Sequence, residues 1–149
     1  MAALTFGDKA GLLTAIATEG FLKLAAELRR TYARTGSFLE VGVAYVRFAV
    51  RHRAYFEVMY RPELYHADDA ALQAARQQTS EALYGSLTEQ QLSVGSDTRV
   101  AGLAAWSLMH GLATLLLTGN LPPDAVRDPE ALARSVASYL FQPARPETS

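Results

Sequence analysis

Between Val100 and Leu117 the chain runs Val-Ala-Gly-Leu-Ala-Ala-Trp-Ser-Leu-Met-His-Gly-Leu-Ala-Thr-Leu-Leu-Leu without a charged side chain. A helix apolar on every side must be covered on every side, by its own core, by a second subunit or by lipid. The run just reaches the lower length limit of a membrane span. His110, Ser107, Gly102, Gly111 and the alanines lower its hydrophobicity, however, and no basic flank marks an orientation, so no membrane is expected. A chain with about six helices offers few neighbours to bury such an element, which favours a second subunit. The last helix supplies another apolar stripe in Ala131, Leu132, Val136, Tyr139 and Leu140. The expected interface therefore combines Leu108, Leu112, Leu115 and Leu116 with Leu132, Val136, Tyr139 and Leu140, as a four-helix bundle across a two-fold axis.

Elsewhere apolar positions recur at helical spacing, and the alternation of a half-buried strand never persists, so the chain is expected to be all-α. A first long helix is expected from about Asp8 to Gly36, carrying Leu12, Leu13, Ile16, Phe21, Leu24 and Leu28 on its apolar stripe. Ser37 with Glu40 three residues on has the form of a capping box and opens a second, mostly buried helix through Phe48. The aromatic segment Tyr55-Phe56-Glu57-Val58-Met59-Tyr60 predicts two helical turns that stop near Pro62, which lacks an amide donor and restricts the residue before it. Asp68-Asp69 places acid at the start of a more polar fourth helix through Leu72, Ala75, Thr79, Leu83, Tyr84 and Leu87, which has a wet face. A fifth helix is expected from Gly95-Ser96-Asp97 to Gly119. A sixth runs from about Asp128-Pro129-Glu130 to Phe141, with a frayed Pro-rich tail after Gln142.

A chain of 149 residues suffices for one compact core, since this length buries roughly two-thirds of the surface of the unfolded chain. Apolar residues make up 50% and the formal net charge is −1, which excludes a disordered chain and a strongly basic nucleic-acid coat. With no cysteine there is no disulfide framework, thiolate nucleophile or cysteine-ligated zinc. Met1-Ala2-Ala3-Leu4 shows no basic region leading into an apolar signal core, so a cytoplasmic location is expected.

Several ordered motifs resemble one known family. Phe6-Gly7-Asp8-Lys9-Ala10-Gly11-Leu12-Leu13 resembles the junction at which the DNA-reading helix of tetracycline-repressor (TetR) family regulators ends and their fourth helix begins. Trp106-Ser107-Leu108-Met109-His110-Gly111-Leu112-Ala113 is similar to the Trp-His-Gly motif of one group of C-terminal domains in that family. Tyr45-Val46-Arg47-Phe48-Ala49, His52 and Tyr55-Phe56-Glu57-Val58-Met59-Tyr60 resemble the same group's preceding helices. The resemblance implies residues 1–7 as a remnant of a DNA-binding region, 8–142 as a ligand-binding and dimerisation domain, and 143–149 as a flexible tail. The family carries a helix-turn-helix ahead of this junction, so operator DNA is expected as a partner only together with those helices. Lys9 alone matches a position that touches the DNA backbone, and one phosphate contact does not read sequence. The implied function is a transcriptional regulator, by family habit a repressor relieved by its ligand, that works as a homodimer.

Catalysis needs convergent acid, base or nucleophile residues. Here there are scattered carboxylates, three histidines (His52, His66, His110) far apart in sequence, and no phosphate loop, so neither an enzyme, a metal site nor a cofactor is expected. His110 reads either as a core imidazole bonded to a carbonyl or as a polar handle in a pocket. Tyr45, Phe48, Phe56, Met59, Tyr60, Tyr84, Trp106, Met109 and His110 are expected to converge between the second, third, fourth and fifth helices. They would form either a filled core or a mainly apolar pocket for an apolar or aromatic small molecule; the family resemblance favours the pocket. Gly42 and Gly111 cost helix stability and point to close helix crossing or to room for a ligand. The alternative is a helical protein-protein interaction module without a small-molecule pocket.

Overall fold

The computed structural model describes residues 6–85, 87 and 97–140; the expected tail lies outside them. Among the described residues every regular element is helical: α1 (Phe6–Thr35), α2 (Phe38–Arg51), α3 (Arg53–Met59), a 3₁₀ turn (Pro62–Leu64), α4 (Ala70–Tyr84), α5 (Thr98–Leu117) and α6 (Pro129–Ala137).

Short polar side chains set the helix starts by accepting first-turn amides that have no intrahelical partner. Asp69 accepts from Leu72 N, Asp97 from Arg99 N and Val100 N, and Asp128 from Ala131 N. Ser37 accepts from Glu40 N as expected, but only half of the capping box forms. The Glu40 carboxylate turns away to Arg134 of α6, at 2.7 and 3.0 Å, and Ser37 N donates instead to the Thr35 hydroxyl. Two glycines, Gly36 and Gly119, follow α1 and α5 with φ of 61° and 71°, the left-handed conformation that closes helices at no steric cost. Asp8 lies inside the first turn of α1 instead of capping it, and Leu87 lies beyond the end of α4.

The long α1 buries Ala17, Phe21, Leu24, Ala25 and Leu28 at three- and four-residue spacing, packing chiefly against α4 and also against α2 and α3. α2 is the central element. It buries Val41, Val43, Ala44, Tyr45, Val46, Phe48 and Ala49 and touches α1, α3, α5 and α6. An ion cluster locks three of these helices. Arg47 of α2 reaches Glu27 of α1 at 2.9 Å and Glu130 of α6 at 3.4 Å, and its other guanidinium nitrogen donates to Thr31.

α5, which carries no charge after Arg99, has two distinct sides. Gly102, Ala105, Met109, Leu112 and Ala113 are buried in the chain's own core, whereas Val100, Leu103 and Leu115 are 56%, 43% and 43% exposed. Tyr139 and Leu140, just beyond α6, are 88% and 48% exposed. α2 packs against both α5 and α6, which also touch each other, and the exposed large apolar side chains of this part of the chain lie on α5 and just beyond α6. By length and hydropathy α5 also matches a membrane span, but its inner side packs on the core of this chain.

Candidate functional site

Trp106 and His110 are four residues apart on α5, so they lie on one face of the helix, and both reach the same atom. The Tyr45 hydroxyl, presented by α2 at 1% exposure, accepts the Trp106 indole N–H at 3.2 Å. It also lies 2.8 Å from His110 Nδ1 and 2.9 Å from the Tyr60 hydroxyl. One hydroxyl has one proton and two lone pairs, so two neutral arrangements fill it. In the first, Tyr45 donates to Tyr60, His110 donates from Nδ1, and Tyr60 keeps its own proton for another acceptor. In the second, Tyr60 donates to Tyr45, Tyr45 donates to Nδ1, and His110 carries its proton on Nε2.

The rings around this hub are tightly grouped. Phe56 lies 5.0 Å from Tyr60, 5.4 Å from His110 and 5.9 Å from Tyr45; Tyr60 meets His110 edge-on at 4.6 Å and Phe21 of α1 edge-on at 5.7 Å. Burial dominates the electrostatics. It lowers the His110 pKa below its ordinary value, keeping the ring neutral near pH 7, and raises that of Tyr45 far above the usual phenol range. Tyr60 is pushed up to about 12, chiefly by burial, against opposing effects of the Tyr45 hydrogen bond and the Arg76 charge. The hub therefore works with hydrogen bonds between neutral groups.

On the α4 side of this cluster the surface opens into a cleft of about 480 Å³, within the size range of small-molecule sites. Phe21, Tyr60, Leu83, Tyr84 and Trp106 supply its aromatic and aliphatic walls. Gln73, Arg76, Gln77 and Ser80, at three- and four-residue spacing along α4, supply its polar edge. A second, much smaller void of about 20 Å³ lies between α2, α4 and α5, bounded by Tyr45, Tyr84, Trp106 and Met109 among others; it has space for about one water.

The expected pocket residues thus divide. Tyr60, Tyr84 and Trp106 line the cleft, Tyr45 and His110 stand behind it in the hydrogen-bonded hub, Phe56 backs the hub, and Met109 borders the smaller void. Phe48 and Met59 do not line it. Phe48 is fully buried with its ring against His52 at 4.8 Å, and Met59 is packed so close to Gly20 that a Cβ there would meet its sulfur at 2.6 Å. Gly42 marks a close crossing, with Met109 Cγ 3.3 Å from where its Cβ would lie, whereas Gly111 has open space beside it.

The expected interface residues divide too. Leu115, Tyr139 and Leu140 are on the outer surface, while Leu108, Leu116, Leu132 and Val136 are half-buried against the core. Leu112 points inward and is 7% exposed, so it belongs to the core of its own chain: on a helix apolar all round, composition hides which side is which. Val100 and Leu103 take its place outside. Lys9 is exposed in the first turns of α1. Among the described residues no cluster of His, Asp or Glu has the form of a metal site.

Residues 38–140 match the family described as "Tetracyclin repressor-like, C-terminal domain". The chain belongs to that family. A solved structure described as a protein with unknown function from Rhodococcus sp. RHA1 is similar to it at 26% identity and a TM-score of 0.76, over 89% of this chain and 73% of that one. No curated protein matches the chain.

Proposed function

We propose that this chain is the effector-binding and dimerising part of a TetR-family transcriptional regulator of the Trp-His-Gly type. It is non-catalytic and cytoplasmic, and acts as a repressor that its ligand relieves. The observation that carries this is the cleft of about 480 Å³. It has aromatic walls, sits directly on the Tyr45–Tyr60–Trp106–His110 hub, and belongs to a chain whose outer α5 surface is left apolar. The cleft touches α1 through Phe21, α4 through Tyr84 and α5 through Trp106. An occupant that fits one disposition of these helices better than another shifts their populations in proportion to that difference. In the intact regulator α1 passes this shift to the DNA-reading helices. With a net charge of −1 and Lys9 as its one family-matched backbone contact, the chain by itself does not read an operator.

The test is ligand-dependent unfolding. A flat or aliphatic small molecule that occupies the cleft stabilises the folded state by about 2.7 kcal/mol at a hundredfold excess over its Kd. Ser80→Phe, which fills the cleft edge, abolishes that response without unfolding the chain. A rise in Tm that persists in Ser80→Phe places the ligand elsewhere, and no rise across a broad set of apolar molecules contradicts the sensor assignment.

A further inference from the structure

Among the described residues that line the cleft, Arg76 is the one ionic side chain, and no described carboxylate pairs with its guanidinium. Arg76 is exposed at the cleft edge and lies over the Phe21 ring, 5.8 Å from its centroid, within cation–π range of the aromatic wall. Gln73, Gln77 and Ser80 flank it on the same face of α4. Gln77 is partly engaged, donating to Glu81 on the solvent side, and the Thr79 hydroxyl is committed to the Phe21 and Ala75 carbonyls. Deeper in, Tyr60 keeps its own proton for an external acceptor whenever Tyr45 donates to it. An apolar slot with an unpaired cation at its edge and a phenol donor at its base is complementary to a ligand with a flat apolar body and an acidic oxygen.

We infer that the effector is an organic anion, an aromatic or similarly flat carboxylate whose charge is taken by Arg76. This rests on the sensor assignment above and adds the ligand's chemical class. A carboxylate that accepts from Tyr60 also selects the arrangement in which His110 donates from Nδ1, so occupancy of the cleft is registered on α5.

The experiment compares 2-naphthoate with 2-naphthalenemethanol, which has nearly the same shape and no charge. Binding to the full chain is followed by calorimetry and by fluorescence of Trp106, the sole tryptophan. A charge-assisted contact makes the acid about tenfold or more tighter than the alcohol. In Arg76→Gln that preference falls to within about twofold while the alcohol binds as before, and Arg76→Lys restores part of it. Equal binding of acid and alcohol, unchanged in Arg76→Gln, overturns the anionic assignment and leaves an apolar sensor site standing. Failure of both compounds to bind at millimolar concentration contradicts the anion-binding cleft and the sensor assignment together.

Discussion

The Tyr45 hydroxyl and His110 Nδ1 lie 2.8 Å apart, joining the central helix α2 to the middle of α5 inside an otherwise aromatic cluster. Tyr45 is also the partner of the Trp106 indole and of Tyr60, so one oxygen satisfies three side chains. Tyr45→Phe removes the shared partner of the indole N–H and the imidazole nitrogen in a part-buried site. Because a lost partner costs about 1–3 kcal/mol when a polar group stays unsatisfied, urea unfolding should show a loss of that order. Tyr60→Phe leaves Trp106 and His110 still bonded to Tyr45 and costs less.

The depressed His110 pKa sets a pH dependence with a defined sign. The folded state binds the proton less well than the unfolded chain, so the stability His110 contributes is fully present above the unfolded value of about 6.5. It is lost as pH falls from there through the lowered folded value. The penalty of His110→Asn relative to wild type, measured by denaturant titration, is therefore larger at about pH 7.5 than at about pH 5.5. A penalty independent of pH would show that His110 titrates alike in both states.

Two glycines at helix crossings respond oppositely to a methyl group. A Cβ on Gly102 would lie 2.6 Å from two Tyr84 ring atoms, and Gly102→Ala forces that ring to move, costing about 1–3 kcal/mol as overpacking does. A Cβ on Gly42 meets the flexible Met109 side chain at 3.3 Å. The helix-propensity gain of about 1 kcal/mol offsets the repacking there, and Gly42→Ala unfolds close to wild type or slightly later. Melting curves of the two variants side by side test the pair.

The half-buried Arg47 is shared by Glu27 and Glu130. Arg47→Met leaves Glu27, itself 17% exposed at the side chain, without its counter-charge. The cost is about 1–3 kcal/mol, above that of an exposed pair and below that of a fully buried one. The more exposed Arg134–Glu40 pair, whose hydrogen bond to Arg134 holds Glu40 below the usual carboxylate range, contributes about 1 kcal/mol or less. That contribution is present above the ordinary Glu value and fades as pH falls through the lowered one. Urea titrations of Arg47→Met and Arg134→Met order the two.

Much of the fold was legible because its punctuation is local. Ser37, Asp69, Asp97 and Asp128 each cap a helix, and Gly36 and Gly119 each follow one, roles set by backbone chemistry within one turn. The hub was legible in part: Trp106 and His110 share a face by spacing alone, but that Tyr45 would join them depends on how α2 crosses α5. Arg76, Gln73 and Gln77 escaped notice because a polar stripe on an amphipathic helix reads as solvated. Only the packing of α4 against α1 and α5 turns part of that stripe into the edge of a cleft. The side of α5 that faces outward escaped for the opposite reason, since Leu112 and Leu115 are alike in sequence and differ only in rotation about the helix axis.

Native mass spectrometry of the purified chain at micromolar concentration tests the dimerising sensor most directly. The wild-type chain should appear near twice its 16.2 kDa mass. Leu103→Glu and Leu115→Glu, which place charge on the outer face of α5, should appear as folded monomers. A wild-type chain found only at 16.2 kDa would contradict a dimer built on that face, and the exposed leucines of α5 would then need another partner.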